Sequence, residues 1–519
     1  MLHFIASAGV IDTSYSGKCL TPMFVNLRIH PSHGTKLERV MIGGRPVLET
    51  SIVSPGGKFR IHFDTSTASA NLPAMVDQNG NRIANSTQQY VDTVAAIFDS
   101  VWNTEIGEFN FPAPPSDNGV DGGNEFDVYI QDLGVNSFGY TDWDTNTAVN
   151  PTAPNPRYPT WIVIDNDFGK GFRTMGVAAI EVTAAHEFFH AIQVGGAGVW
   201  LDDFQYYEMT AESMESRVFP AVKDYVFDIR PYFNYIESSP LYLSYSDQAP
   251  GYERAIWGVF LMRRFGTQIM RTWWNDITSM RPWPALEEAI TTSNSGIERE
   301  FVQFSLWNFN TGTHADTVKY YPDGKLFPPL HIADSQPVAG GSYTFAGASQ
   351  SYVSHYFLAT LNTDSTFFIV SNVNTGDARS AAHNTFGFSL TASQSQQGNS
   401  IVYLFSVPDA ANWKVTSSTS IGELAASAEE PFPNPFDPAK SVLLFPISED
   451  PSANPHIYIF TSSFSLVSDI QSPVITFAGK RCISWNGLDS KGHRIASGIY
   501  FYVISNGNSQ QKGKFAVLQ

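Results

Sequence analysis

Cysteine is nearly absent: Cys19 and Cys482 are the only two in 519 residues. They stand near opposite ends of the chain, which excludes a disulfide framework and any zinc site built from paired cysteines. Cationic residues are also scarce, with 31 Lys and Arg against 49 Asp and Glu and a formal charge of −18. That balance excludes nucleic acid as the natural partner, because a phosphate backbone demands a basic face. No uncharged apolar run approaches the ~18–20 residues needed to cross a bilayer, so no transmembrane segment is expected. The opening MLHFIASAGVI is mildly apolar, but the first basic residue, Lys18, comes after it. A secretory signal places its charge first, so a signal peptide is not expected within this chain. A hydrophobic fraction of 43% with 14% aromatics is ample for real cores. At roughly 150 residues per domain, the length points to three or four units.

The organisation follows from pattern changes along the chain. Residues 1–55 lack strong periodicity and read as an N-terminal segment and candidate prosegment. From Phe59, FRIHF alternates as a strand does, and a helical stretch over 86–106 places Tyr90, Val94, Ile97, Phe98 and Val101 on one face. EFDVYIQDLG (125–134) and TWIVIDNDF (160–168) read as strands, and EVTAAHEFFHAIQVG (181–195) as a helix with a glycine stop. Further helical patterns fill the stretch up to 327, giving an α+β domain over 56–327. Residues 328–426 turn Ser/Thr/Gly-rich with short β-type runs, the texture of an all-β sandwich. Prolines in PFPNPFDPAK (431–440) forbid a helix and mark the entry to a last module, 427–519. That module carries seven cationic and seven anionic residues, so the whole negative charge lies before it.

The chemistry is concentrated in His186-Glu187-Phe188-Phe189-His190. Positions i and i+4 of a helix share a face, so both imidazoles can address one Zn²⁺, with Glu187 beside it as general base. Val182, Ala184, Ala185, Phe189 and Ile192 can pack, leaving the histidines as a polar stripe. Catalytic zinc takes three protein ligands plus water, and HxxGxxH is not present here, so the third ligand comes from elsewhere. Tyr207-Glu208-Met209-Thr210-Ala211-Glu212 offers two carboxylates one turn apart. Glu208 is assigned as the ligand and Glu212 as the residue that hydrogen-bonds a ligating imidazole, with Glu215 and Asp202 as lesser candidates.

These residues resemble the gluzincin group of zinc metallopeptidases, whose third-ligand pattern is N-E-x-x-[AS]-[ED]. Tyr207 replaces the Asn, while Glu208, Ala211 and Glu212 align. TAAHEFFHAIQ, YEMTAESMESRVFP and the preceding FRIHF, EFDVYIQDLG and IVIDNDF together resemble the MXAN_6640-type bacterial metalloproteases over about residues 56–310. The resemblance implies a zincin fold, a zinc cofactor and a protein or peptide substrate. It also implies that TWIVIDNDF is the edge strand that pairs with extended substrate. Tyr252 is a candidate to polarise the scissile carbonyl. Asp165 with Asp167, and Asp77 with Asn79 and Asn81, are weighed as structural Ca²⁺ sites against ordinary turn residues.

PNPFDP, ISWNGLDSKGHRIASGIYFYVIS and KGKFAVLQ resemble the FlgD Ig-like fold used as a type IX secretion sorting domain. This implies bacterial export to the medium or cell surface and contact with the secretion machinery. The expected protein is thus multidomain, an α+β zincin-like metallopeptidase followed by two all-β sandwich modules. Its zinc-bound water, activated by Glu187, would hydrolyse peptide bonds. The alternative is a non-catalytic surface adhesin or glycan-binding protein with an inactive zincin domain; zinc hydrolysis of a non-peptide amide is a third reading. Cys19 lies in the candidate prosegment beside basic Lys18 and is weighed as a zinc ligand that silences the enzyme, against an ordinary buried cysteine or a pair with Cys482.

Overall fold

The computed structural model describes residues 18–30, 43–135, 137–239, 241, 251–361, 364–373, 386–394, 401–406, 413–418, 431, 436, 438–439, 442–447, 455–462, 465–471, 474–477, 480–506 and 509–517. Most of PFPNPFDPAK, and of residues 1–42 all but 18–30, lie outside this set. The chain divides into two compact units, Met1–Ser420 and Ile421–Gln519.

The first unit is built on a five-stranded mixed sheet of order β1-β2-β3-β5-β4. Its strands are β1 (Thr50–Val53), β2 (Phe59–Phe63), β3 (Phe126–Gln131), β4 (Gly139–Trp143) and β5 (Thr160–Asp165). β2, β3 and β5 run parallel, and the two outer strands, β1 and β4, are antiparallel to their neighbours. Helix α1 (Thr21–Ile29) precedes the sheet, and α2 (Thr87–Trp102) links parallel β2 and β3. The buried face of α2 carries Tyr90, Val94, Ile97, Phe98 and Val101, as its 3.6-residue period predicts. Alternation gives the sheet two apolar faces. On one, Tyr129, Tyr140, Trp161 and Val163 pack with Leu20 and Phe24 around α1. The other meets α3 (Val177–Ile192), whose Phe188 touches Phe59 and Phe126 at ring-centroid distances of 5.2 and 5.6 Å.

One boundary and one strand position expected from the sequence are corrected. A break at residue 55 would fall inside the β1–β2 hairpin, where Ile52 pairs with Ile61. Strand edges need partners, so residues 50–53 belong to the sheet and not to a detachable segment. The expected edge strand, residues 160–168, is instead interior. Every residue of β5 is buried because β3 and β4 flank it and both faces are covered. The outer strands are β1 and β4, and the one that packs against α3 is β4, GYTDW, which the sequence reading passed over.

Helices then accumulate: α4 (Gln205–Val218), α5 (Ala255–Phe265), α6 (Gln268–Asp276), α7 (Pro282–Thr292) and α8 (Ile297–Phe309). Proline at the start of α7 supplies a preset helical φ where no backbone donor is needed. The sandwich follows in the same compact unit, with sheets β11-β10-β7 and β12-β9-β8-β6. These are β6 (Asp334–Pro337), β7 (Ser342–Ser349), β8 (Val353–Leu361), β9 (Asp364–Asn372), β10 (Phe386–Gln394), β11 (Ile401–Ser406) and β12 (Trp413–Ser418). Phe345, Phe357, Phe368, Phe388 and Leu390 fill the space between the sheets. The sandwich is fastened to α8 by Tyr356, whose hydroxyl donates to the Ser305 carbonyl at 2.9 Å, and by Ser305 and Ser354, 2.6 Å apart.

The second unit is a smaller two-sheet arrangement, β13-β17-β16 and β15-β14-β18-β19. It comprises β13 (Leu443–Pro446), β14 (His456–Thr461), β15 (Leu466–Ile470), β16 (Val474–Phe477), β17 (Lys480–Trp485), β18 (Gly498–Asn506) and β19 (Ser509–Val517). Its core joins Phe436, Phe445, Ile483 and Trp485 to Tyr502 and Phe515. GLDSKG forms a turn in which Asp489 accepts from the Lys491 and His493 amides at 2.9 and 2.8 Å.

Candidate metal centre

Helix α3 carries His186 and His190 on one face, one turn apart. Helix α4 packs beside it and aims Glu208 between them. The His186 and His190 Nε2 atoms are 3.1 Å apart, and the Glu208 carboxylate lies 3.2 Å from the first and 3.1 Å from the second. Ligand atoms around tetrahedral zinc, each about 2.0–2.1 Å from it, stand roughly 3.3 Å from one another. The spacing of these three therefore suits a metal.

The outer hydrogen bonds fix which ring nitrogen faces inward. Gln193 Nε2 donates to Thr210 Oγ1 at 2.8 Å and to the Tyr207 carbonyl at 3.1 Å. Its Oε1 must then accept from His190 Nδ1, 2.7 Å away, which leaves the Nε2 lone pair turned toward Glu208. His186 Nδ1 donates to Glu215 at 2.9 Å, with Glu212 farther off at 3.5 Å. Glu208 Oε1 is fully buried and has no hydrogen bond, although His190 Nε2 is its neighbour. An acceptor facing an acceptor in a dry interior calls for a cation between them. The residues thus fit a zinc ion.

Electrostatics agree. Burial would raise the Glu208 carboxyl, but the two imidazoles outweigh it and hold it down to about 2. Burial opposes charge on His186, yet hydrogen bonds with Cys19, Glu208, Glu212 and Glu215 carry it well above the usual imidazole range, favouring a proton that a bound cation would displace. The carboxylates demand positive charge at this spot. Part of it comes from Lys18, whose buried ammonium meets Glu215 at 2.5 Å, Asp224 at 2.8 Å and Glu212 at 3.4 Å. Burial lowers the Lys18 pKa, and these carboxylates more than reverse that.

Glu187 is buried beside the pair, its carboxylate 2.9 Å from Thr141 Oγ1 on β4. Strand β4 comes close to α3 here because residue 139 has no side chain: a Cβ on Gly139 would lie 2.8 Å from the Val163 carbonyl and 2.9 Å from Thr183 Cγ2. Tyr252 reaches the same place, its ring centroid 6.0 Å from that of His186. Cys19 joins as well: its sulfur and one ligand atom each of His186, His190 and Glu208 all lie within 4.8 Å of one another.

The structure thus brings together His186, Glu187, His190, Glu208, Tyr252 and Cys19. Glu212, expected to hydrogen-bond a ligating imidazole, stands 3.5 Å from His186 Nδ1, and Glu215, a further turn along the same face of α4, makes the 2.9 Å bond instead. Asp202 stays out, largely exposed near Arg281. No disulfide joins Cys19 to Cys482; each is a buried thiol. Gln193 and Thr141 were not anticipated. The HxxQ spacing was a signal for the first, whereas nothing local marks the second. Asp165 accepts from the Leu133, Asp167 and Phe168 amides, and Asp167 pairs with Arg82 at 2.7 Å. Asp77 accepts from the Asn79 and Asn81 amides at 2.8 and 2.9 Å. These are the bonds of turn residues.

No family model matches the chain, and no curated protein matches it. Among solved structures, PorZ, an essential bacterial surface component of the type IX secretion system of Porphyromonas gingivalis, is similar at 14% identity with a TM-score of 0.15. The overlap spans 33% of this chain and 31% of that one, too slight a likeness to fix a fold.

Proposed function

We propose that the first unit is a zinc-dependent metallopeptidase of zincin type. The observation that carries this reading is the buried His186–His190–Glu208 triangle, with both imidazoles held by Gln193 and Glu215 so that their lone pairs converge. A zinc ion held by these three residues would supply Lewis acidity, lowering the pKa of water and polarising a carbonyl. Glu187 would take the proton of the attacking water and return it to the departing amine. Thr141 steadies that carboxylate from the edge strand. The outer edge of β4 would pair with an extended peptide through backbone groups, a mode that gives affinity with little sequence preference. Tyr252 would donate to the developing oxyanion. The C-terminal unit is proposed to be an FlgD Ig-like sorting module that addresses the protein to the type IX secretion machinery and so to the cell surface or medium.

The test is metal analysis joined to hydrolysis of unfolded casein. One zinc per chain is expected, lost in His186→Ala and His190→Ala, and, after limited proteolysis of the candidate prosegment, casein hydrolysis that stops on chelation. Glu187→Gln keeps the metal, and turnover falls by several powers of ten because the amide cannot accept a proton. Near-normal hydrolysis by Glu187→Gln would overturn the mechanism, and a chain that takes up no zinc would overturn the reading.

A further inference from the structure

We infer that residues 18–20 hold the proposed peptidase latent, with Cys19 as a fourth protein ligand of the metal and its backbone lying where substrate would lie. The inference rests on the zinc-peptidase reading and specifies how that site is regulated. Four observations carry it. First, the Cys19 sulfur belongs to the same group of mutually close ligand atoms as His186, His190 and Glu208, and all four residues are buried. Four protein donors close a zinc site, whereas three leave a position open for water. Second, the segment is paired with the outer edge of β4. Cys19 bridges Gly139, the Leu20 amide donates to the Gly139 carbonyl at 2.9 Å, and the Phe138 amide donates to the Lys18 carbonyl at 2.8 Å. An extended peptide substrate would need those same backbone groups.

Third, the Tyr252 hydroxyl donates to the Cys19 carbonyl at 3.3 Å, so the residue proposed to polarise a scissile carbonyl is turned toward this one. Fourth, the segment is anchored on both sides of the cysteine. Lys18 is locked to Glu215, Asp224 and Glu212, and Leu20 enters the apolar layer beneath the sheet. Glu208 Oε1, buried and without a hydrogen bond, independently marks the centre as built for a cation. Metal entry would release the thiol proton to solvent, and no other covalent change is required. Activation then consists of drawing residues 18–20 off the edge, which frees the fourth position and the strand together.

The experiment uses the full chain with Cys482→Ala, so that one thiol remains, loaded with cobalt in place of zinc. A thiolate-to-cobalt charge-transfer band is expected, absent in Cys19→Ala although that variant still binds one cobalt. Acetohydroxamate, a small chelating probe, should perturb the cobalt spectrum of Cys19→Ala and leave that of the Cys19 chain unchanged. In zinc-loaded protein, X-ray absorption should show one sulfur at about 2.3 Å. Bound metal with only nitrogen and oxygen neighbours, or equal hydroxamate binding in the two chains, would overturn latency and leave the zinc reading standing. Failure of the chain to bind either metal would remove both, and metal content alone distinguishes the two failures.

Discussion

Each imidazole of the proposed centre is aimed by one outer residue, and the two are chemically different. His186 is held by the Glu215 carboxylate and His190 by the neutral Gln193 amide. A carboxylate adds negative charge and ligand basicity, and an amide adds orientation alone. Glu208→Ala should therefore empty the site. Glu215→Gln should weaken zinc about 10–100-fold, Gln193→Ala by less, and Glu212→Ala least. Competition with a chromophoric chelator gives all four affinities. If Glu212→Ala proves costlier than Glu215→Gln, the geometry at His186 Nδ1 has been misread. Lys18 complicates the picture usefully. It is the main counter-charge of Glu215, so Lys18→Met leaves buried carboxylates uncompensated and should destabilise the metal-free chain by several kcal/mol.

At the scale of elements, β4 and α3 meet at a glycine. Gly139→Ala would drive a methyl into the Val163 carbonyl and the Thr183 side chain. Urea denaturation should show a loss of about 1–3 kcal/mol. Because the strand carries Thr141, the variant should also lose more activity than zinc. The helices and interior strands were legible in the sequence because their burial is periodic or continuous: α2 shows its stripe, and β3 and β5 read as apolar runs. The edge was assigned to residues 160–168 by the family resemblance alone, and the continuity spoke against it, since a strand that is apolar throughout is covered on both faces. β4 was missed because GYTDW is short and half polar. Its five residues are nonetheless all buried, since α1 lies on one face, α3 on the other, and residues 18–20 along its side. HExxH and Glu208 could be found because their spacing is local. Cys19, 167 positions before His186, could be weighed but not placed. No local pattern encodes the fold's return to its own beginning.

At the scale of the whole molecule, the two compact units invite separation. A chain ending at Ser420 should fold, bind zinc and keep its metal spectrum, but it should not reach the medium or surface of its native host. Fractionation of host cultures decides this, and export of the shortened chain would contradict the sorting proposal. The reach of Cys19 to the α3 histidines has a consequence for heat and denaturants. This protein has no disulfide, yet a loaded centre would close a loop of about 170 residues between positions 19 and 186. By chain entropy such a closure is worth roughly 5 kcal/mol, as much as a disulfide of that span. The metal would therefore act as a staple for as long as residue 19 holds it. Calorimetry should show the intact chain melting well above its chelated form, and Cys19→Ala should lose most of that gap while still binding metal. Activation would then cut the staple in the act of opening the site, leaving a working enzyme shorter-lived than its stored form.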